Sequence, residues 1–451
     1  MFTPFSVDDV SNDSNYNYND DNSTGLGLEQ QRVYRAISKG GNHVITGEAG
    51  TGKSYLGEMI AEDRFTIHLG PTGMSINHYK QGFTIARFLN ASPKNIDDSG
   101  SLINNFLPPF TPDELRHSQI FIDECFMISS GHFIALNGGL QKYLNNRLPF
   151  GGVRIIMLGD TLQLPSINDS EPMFTTDAYK YGKFMVHNLR EQHRQVDTDP
   201  TDSRIFKELL KCMRSGRFTP YYEDILRHVV NNPHRTIPID AVHLFATVKG
   251  AAKINELKLS QLPGGTTTLY NKLTGTCGKK SKRRQVDVVL LKPGARVMIT
   301  SNIYCIKTKT LLVCNGSTGT FVVPSGANRD AIKIAGKGSW KIPVWLDSTG
   351  SIIEIPAMKR TEYNIDKESI GTFNYWPIIH GWAITIHRAQ GLTIDNVVLH
   401  GDGIFEPCQA YVGASRVRTI SQLYGVNLTP DNFEHPVSTL ITEYNRSNGI
   451  S

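Results

Sequence analysis

Short apolar runs along this chain alternate with stretches of helical period. His43-Val44-Ile45-Thr46 leads into a glycine-rich turn, a helix-like segment from Ser54 to Arg64, and a second run, Phe65-Thr66-Ile67-His68-Leu69. Ile120-Phe121-Ile122, Arg154 to Leu158 and Phe184-Met185-Val186 repeat the signature. Strand, helix, strand at this spacing predicts a parallel sheet with helices on its faces, because parallel neighbours need a long crossover. A second block opens near Leu189, with a helix over Ser203 to Arg214, a strand at Val242 to Ala246 and a helix over Gly250 to Gln261. Between about Pro263 and Phe373 the pattern breaks into short β-type runs, among them Val286 to Leu291, Arg296 to Thr300, Gly319 to Val323 and Lys341 to Leu346, in Gly-, Thr- and Lys-rich surroundings. Short strands punctuated by turns predict a small β-barrel. The block then resumes with Ile378 to Ile386, Asn396 to Leu399, a helix near Glu406 to Ala414 and a strand at Gln422 to Val426. The expected fold class is therefore α/β, with a first parallel-sheet core over 26–188 and a second over 189–262 and 374–451. The barrel, 263–373, is inserted in the second core.

Length supports that count, since 451 residues at about 150 per domain make two or three units. With 39% hydrophobic and 20% charged residues the composition is that of a soluble globular chain, which excludes collagen-like, disulfide-scaffold and mostly disordered classes. No run approaches the roughly 18 to 20 apolar residues of a membrane span, so no membrane partner is expected. Six cysteines without a C-x-x-C pair fit a reducing, intracellular home and carry no zinc signature. The net charge of +5 permits a polyanionic partner without demanding one. Residues 1–25, rich in Asn, Asp, Ser and Tyr, with no Lys or Arg before Arg32, read as a disordered acidic tail. The tail is neither a secretory signal nor a transit peptide, so secretion is not expected.

The chemistry concentrates at strand ends. Gly47-Glu48-Ala49-Gly50-Thr51-Gly52-Lys53-Ser54 fits G-x-x-x-x-G-K-[ST] after a strand and at the start of a helix. Glycines there let backbone N–H groups curl around a β-phosphate, Lys53 brings a point charge to the β and γ oxygens, and Ser54 is a ligand for Mg²⁺. ATP and Mg²⁺ are the ligands expected. Asp123 and Glu124, directly after Ile120-Phe121-Ile122, supply a carboxylate to hold Mg²⁺ through water and a second to polarise the attacking water. A third strand ends in Gly159-Asp160-Thr161-Leu162-Gln163-Leu164-Pro165, where the Gln163 amide can sense a γ-phosphate or lytic water without adding charge.

In order along the chain these segments join Pro149-Phe150-Gly151-Gly152-Val153, Leu189-Arg190-Glu191-Gln192-His193-Arg194-Gln195, Trp382-Ala383-Ile384-Thr385-Ile386-His387-Arg388-Ala389-Gln390-Gly391-Leu392-Thr393 and Ala410-Tyr411-Val412-Gly413-Ala414-Ser415-Arg416-Val417. Together, over about Leu26 to Val426, they resemble the petite-integration-frequency branch of superfamily one helicases, relatives of RecD and of the phage Dda enzyme.

The resemblance implies two RecA-like cores and an ATP-dependent DNA helicase moving 5′ to 3′. A RecD- or Dda-like translocase that clears proteins or serves recombination, and a non-hydrolysing nucleic-acid adaptor, stand as alternatives. By the same resemblance Gln30 reads the adenine edge, Pro71 and Thr72 contact the DNA backbone, and Gln163 couples nucleotide state to the second core. Arg194 and Arg416 act as arginine fingers, while Thr385, His387 and Gln390 link DNA grip to ATP.

By the resemblance the stretch of about 92–110 sits where the family inserts a strand-separating pin, whereas its short length and two adjacent acids favour a plain connecting loop, and the barrel, with Asn315-Gly316-Ser317-Thr318-Gly319, is expected to clamp single strands. Lys279-Lys280-Ser281-Lys282-Arg283-Arg284, its densest basic cluster, reads as a solvated loop, a phosphate contact or a nuclear address. Ala86, Ser166 and Ala414 depart from the family pattern, which has histidine, proline and leucine there, but the charged set is intact. The implied partners are single-stranded DNA, forked duplex and replication or repair proteins. The chain would work as a monomer in replication, repair, recombination or telomere maintenance, in a nucleus or in the cytoplasm of a bacterium or virus-infected cell.

Overall fold

The computed structural model describes residues 25–450 except 63–64, 73–74, 77–78, 80–81, 90–105, 107, 164–170, 194–199, 276–287, 305–310, 314, 323–332, 336–340, 364–368 and 435–436. The acidic tail before Gly25, most of the pin-like segment, Arg194 and the 279–284 basic cluster lie outside the described residues. Among the described residues no helix is long and apolar enough to cross a membrane.

Six strands form the first sheet: β1 (His43–Gly47), β2 (Thr66–Gly70), β3 (Gly82–Thr84), β4 (Gln119–Ile122), β5 (Arg154–Gly159) and β6 (Met185–Leu189). Their order is β3-β2-β4-β5-β1-β6 and every neighbouring pair is parallel. β1 and β4 are buried at every position, as strands covered on both faces must be. One face packs Val44, Ile120, Ile122 and Ile155 with the helix Ser130–Leu144, while the other packs Ile45, Phe121 and Leu158 with the helices Leu28–Ser38 and Lys53–Glu62. The order places β1 between β5 and β6. A crevice therefore opens where the carboxyl ends of β1, β4 and β5 lie side by side.

A second parallel sheet contains β7 (Val242–Phe245), β8 (Ala383–Thr385), β9 (Val397–His400) and β10 (Leu423–Val426), in the order β8-β7-β9-β10. Its core includes Leu244, Ile384, Leu399 and Leu423. Against these pack Phe206, Leu210 and Met213 of the helix Pro200–Ser215, and Tyr411 of the helix Gln409–Ala414.

The chain between β7 and β8 is rich in antiparallel strands, as expected. Its largest sheet has five strands, ordered Ser351–Pro356, Lys341–Leu346, Thr318–Phe321, Arg296–Ile299, Ile378–His380. Smaller sheets of three, three and two strands flank it, and among the described residues none closes on itself. The apolar stretch Ile378 to Ile386 serves two sheets: Ile378–His380 pairs antiparallel with Arg296–Ile299, and β8, three residues on, pairs parallel with β7. Gly381 sits at the switch, where an added Cβ would lie 3.0 Å from the backbone of Val297.

Candidate functional site

β1 ends in the glycine loop, and Gly50 (φ +92°) and Gly52 (φ +74°) occupy left-handed backbone that a side chain would strain. The loop delivers Lys53 and Ser54 as the first residues of the helix Lys53–Glu62. Lys53 Nζ donates to the carbonyls of Gly47 (2.9 Å) and Glu48 (2.8 Å), so the ammonium is folded back onto the loop's own oxygens. Buried Gln30 lies against the same loop: its Nε2 donates to the Gly52 carbonyl (3.3 Å) and its Oε1 accepts from Gly27 N (3.0 Å). His193 N donates to the Gly50 carbonyl (2.8 Å), closing the loop from the β6 side.

β4 ends next to it. Asp123 N donates to the Leu69 carbonyl, which pins the carboxylate at the sheet edge. Asp123 Oδ2 accepts from Ser54 Oγ (3.5 Å) and from Tyr79 Oη (3.2 Å), and Oδ1 accepts from Glu124 N (2.8 Å). A hydroxyl and a carboxylate converging in this way form the hard-oxygen set that suits Mg²⁺. Glu124 stands in left-handed backbone (φ 50°, ψ 44°), a conformation costly for a non-glycine residue and common where function dictates the side chain's aim. Burial drives both carboxyls upward from their ordinary range. For Asp123 the Glu124 N–H bond and the Lys53 charge oppose the rise; for Glu124 the Asp123 charge adds to it, while Lys53 and Arg416 oppose it.

A cavity of about 350 Å³ collects these groups. Lys53, Ser54, Asp123, Glu124 and Gln163 line it together with Gly391 and Arg416, which follow β8 and the helix Gln409–Ala414. Arg416 is 2% exposed, and its guanidinium donates to the carbonyls of Val412 (2.7 Å) and Leu392 (3.5 Å) and to Ser415 Oγ (2.7 Å). Gln163 Oε1 accepts from Gln390 Nε2 (3.2 Å), a buried amide pair between the two sheets' edges.

A second cavity of about 220 Å³ shares Ser75, Glu124 and Gly391 with the first. Thr72, His387 and Gln390 line it, as do Arg388, Met298, Thr300 and Asn315. Pro71 and Thr385 adjoin these residues in sequence without lining the cavity. His387 Nε2 meets Glu406 Oε2 at 2.9 Å.

Three contributors escape a reading of the sequence. Arg214, 7% exposed, reaches from the helix Pro200–Ser215 to Asp160 (3.0 Å) and to Glu48 of the glycine loop (3.5 Å). Its signal was present: Arg214 continues the i, i+4 stripe of Phe206 and Leu210, and a charge on a buried stripe requires a partner. Tyr411 Oη accepts from Ala49 N (3.3 Å), a second bond from the second sheet's helices to the loop. Tyr79, on the segment between β2 and β3, carries no such sequence signal.

The family model of PIF1-like helicases matches residues 25–223. The zebrafish (Danio rerio) ATP-dependent DNA helicase PIF1 is 28% identical over 90% of this chain and 61% of its own length, and the Pif1 of Psychrobacter sp. strain PRwf-1 is 26% identical over 89% and 68%. The chain thus spans about six-tenths of the zebrafish protein's length. Bacteroides Pif1 in complex with ADP-AlF3 and ssDNA superposes with a TM-score of 0.77 at 25% identity, covering 94% of this chain and 98% of that one. Pif1 from Candida albicans gives 0.75 at 22% identity, covering 94% and 99%, and shares the fold.

Proposed function

The chain is related to the PIF1-like helicases, and from that kinship we propose that it is an ATP-dependent motor. It moves 5′ to 3′ on single-stranded DNA and separates forked duplex, a single chain sufficing. The observation that carries this reading is the composition of the larger cavity: Lys53, Ser54, Asp123 and Glu124 come from the first sheet's edge and Arg416 from the second. Hydrolysis of a triphosphate depends on positioning and charge, so groups divided between two bodies make turnover depend on how those bodies close.

In this reading residues 26–188 form the gripping core, 189–262 and 374–451 the triggering core, and 263–373 a barrel-like clamp. The clamp is supported by one apolar cluster that joins Leu269 and Leu291 of a small sheet to Val297, Val344 and Ile355 of the five-stranded sheet. Gly47, Glu48, Ala49, Gly50, Thr51 and Gly52 wrap the phosphates with backbone N–H groups, and Lys53 exchanges its two carbonyl partners for phosphate oxygens. Gln30 faces the base. Ser54 and Asp123 hold Mg²⁺, which neutralises charge on the phosphates when bound. Glu124 draws a proton from the attacking water, and its upward shift fits a base working near neutral pH. Gln163 and Arg416 face the γ-phosphate, with Arg194 as a second finger. Pro71, Thr72, Thr385, His387 and Gln390 bear on the DNA backbone in the smaller cavity, so the Gln163–Gln390 bond joins the two grooves.

The test is strand separation on duplexes carrying either a 5′ or a 3′ single-stranded tail, with and without ATP, beside Lys53→Ala. Unwinding of the 5′-tailed substrate alone, abolished in Lys53→Ala with DNA binding retained, is expected. Protein clearance without strand separation would point to a translocase, and unchanged turnover in Lys53→Ala would remove the proposed site.

A further inference from the structure

The two cavities are joined by a short piece of chain. Thr72 faces the smaller one and Ser75 lines both. The pair is locked as a turn: Thr72 N donates to Ser75 Oγ (3.4 Å), Ser75 N to Thr72 Oγ1 (3.3 Å) and Ser75 Oγ to the Thr72 carbonyl (2.9 Å). Glycines pin this segment to the sheet at both ends. A Cβ on Gly70 would come within 2.2 Å of Ser75 Oγ, and one on Gly82 within 2.5 Å of the Ile76 carbonyl. A side chain at Gly82 would press on the Ile76 backbone, and one at Gly70 on the Ser75 and Ile76 side chains. Tyr79 follows, with its N donating to that Ile76 carbonyl at 3.3 Å, a bond that ties the tyrosine to the residue next to Ser75.

Tyr79 is 7% exposed, and its ring stacks on His68 of β2 with centroids 3.9 Å apart and planes 11° from parallel. Its oxygen reaches onward, to Asp123 Oδ2 at 3.2 Å, the same oxygen that Ser54 Oγ approaches. The neighbouring Oδ1 is already held by Glu124 N. Tyr79 thus holds one oxygen of a carboxylate whose orientation decides how a divalent cation is held.

We propose that Tyr79 is a positioning residue that carries the state of the Thr72–Ser75 turn, at the DNA groove, to the carboxylate of Asp123. The proposal deepens the nucleotide reading of the larger cavity and rests on it. DNA seated against Thr72 bears on the Thr72–Ser75 bonds, and through the Ile76 carbonyl and Tyr79 a displacement reaches Asp123 by one hydrogen bond. Groups that orient a metal-holding residue from behind typically set metal affinity by about 10- to 100-fold.

The test compares the full chain with Tyr79→Phe, which keeps the ring on His68 and removes only the oxygen. Steady-state ATP turnover is measured against Mg²⁺ concentration, with and without saturating oligo-dT. Melting temperature and oligo-dT affinity without nucleotide check the fold and the groove. The expected result is roughly a tenfold higher Mg²⁺ requirement for half-maximal turnover, together with a severalfold smaller ratio of DNA-stimulated to basal turnover at unchanged DNA affinity. A merely structural tyrosine would lower turnover without moving the Mg²⁺ requirement. An unchanged stimulation ratio overturns the coupling, and an unchanged Mg²⁺ requirement overturns the route through Asp123. Absence of any ATP turnover in the unaltered chain would be a different failure, bringing down the nucleotide reading and this proposal with it.

Discussion

β1 and β7 occupy equivalent places, each inside a parallel sheet and each feeding a helix, yet the two exits have opposite chemistry. After β7 the chain enters the helix Val248–Gln261 through Thr247, whose Oγ1 accepts from Gly250 N at 3.3 Å. That helix satisfies its own first turn. After β1 the residue before the helix is Gly52, which has no side chain to offer, and Gly50 and Gly52 hold the loop in left-handed backbone. One exit is capped by a hydroxyl, and the other has no side-chain cap of this kind. The second sheet contributes cations instead: Arg416 beyond the helix Gln409–Ala414 lines the cavity, and Arg214 reaches Glu48 and Asp160. The same fold thus brings the glycine loop and carboxylates to the cavity from one side and positive charge from the other.

The sharpest way to break this division of labour is Arg416→Ala. Turnover should fall on the order of a thousandfold with nucleotide binding retained, since an arginine brought to a γ-phosphate acts in the transition state. Single-turnover hydrolysis beside equilibrium binding of a fluorescent nucleotide separates the two effects. Wild-type turnover would mean that Arg416 does not face the γ-phosphate.

Next in size is Arg214→Met. Asp160 is 1% exposed, and removing its cation leaves a buried carboxylate whose Oδ1 keeps only the Leu162 N–H bond at 3.0 Å. Breaking such a pair costs about 3 kcal/mol in urea unfolding at neutral pH, and adding Asp160→Asn should recover part of it. The exposed Lys341–Glu354 pair of the inserted strands, broken in the same way, should cost under about 1 kcal/mol. Equal costs would show that Arg214 is no better shielded than a surface lysine.

These residues also mark what could be read in the chain beforehand. β1, β4 and β5 were legible because strands covered on both faces read as apolar runs, and residues that follow them line the larger cavity: Lys53, Ser54, Asp123, Glu124 and Gln163. The switch at Gly381 was not, because nothing in Ile378 to Ile386 says which sheet each half joins; pairing partners are set by distant chain. The inserted strands were recognisable as β, but short runs do not encode whether a sheet closes. Arg214 was passed over although its helical spacing marked it. Tyr79 had no mark, since a loop tyrosine acquires meaning only when the fold brings Asp123 to its oxygen.

The smallest effect tests where the two sheets are alike. Each carries a histidine pair between neighbouring strands: His43 with His187 at 2.9 Å, and His243 with His400 at 3.1 Å. His43 Nε2 donates to the Gly40 carbonyl (2.9 Å), which leaves Nδ1 to accept from His187 Nε2. A further proton would set two N–H groups face to face. Burial lowers all four rings, with His187, His243 and His400 brought to about 4 from 6.5. A histidine whose folded value is depressed gives stability that is complete above about pH 6.5 and is lost as pH falls toward 4, because the unfolded chain takes up protons first. Asp123 and Glu124, shifted upward, act in the opposite sense, so the readout is the difference between variants in melting temperature against pH. His43→Leu with His187→Leu, and separately His243→Leu with His400→Leu, remove both partners of a pair and so leave no orphaned ring nitrogen. Each double variant should flatten the acid decline by a similar amount. A decline flattened by one double variant alone would show that the resemblance between the sheets ends at their backbones.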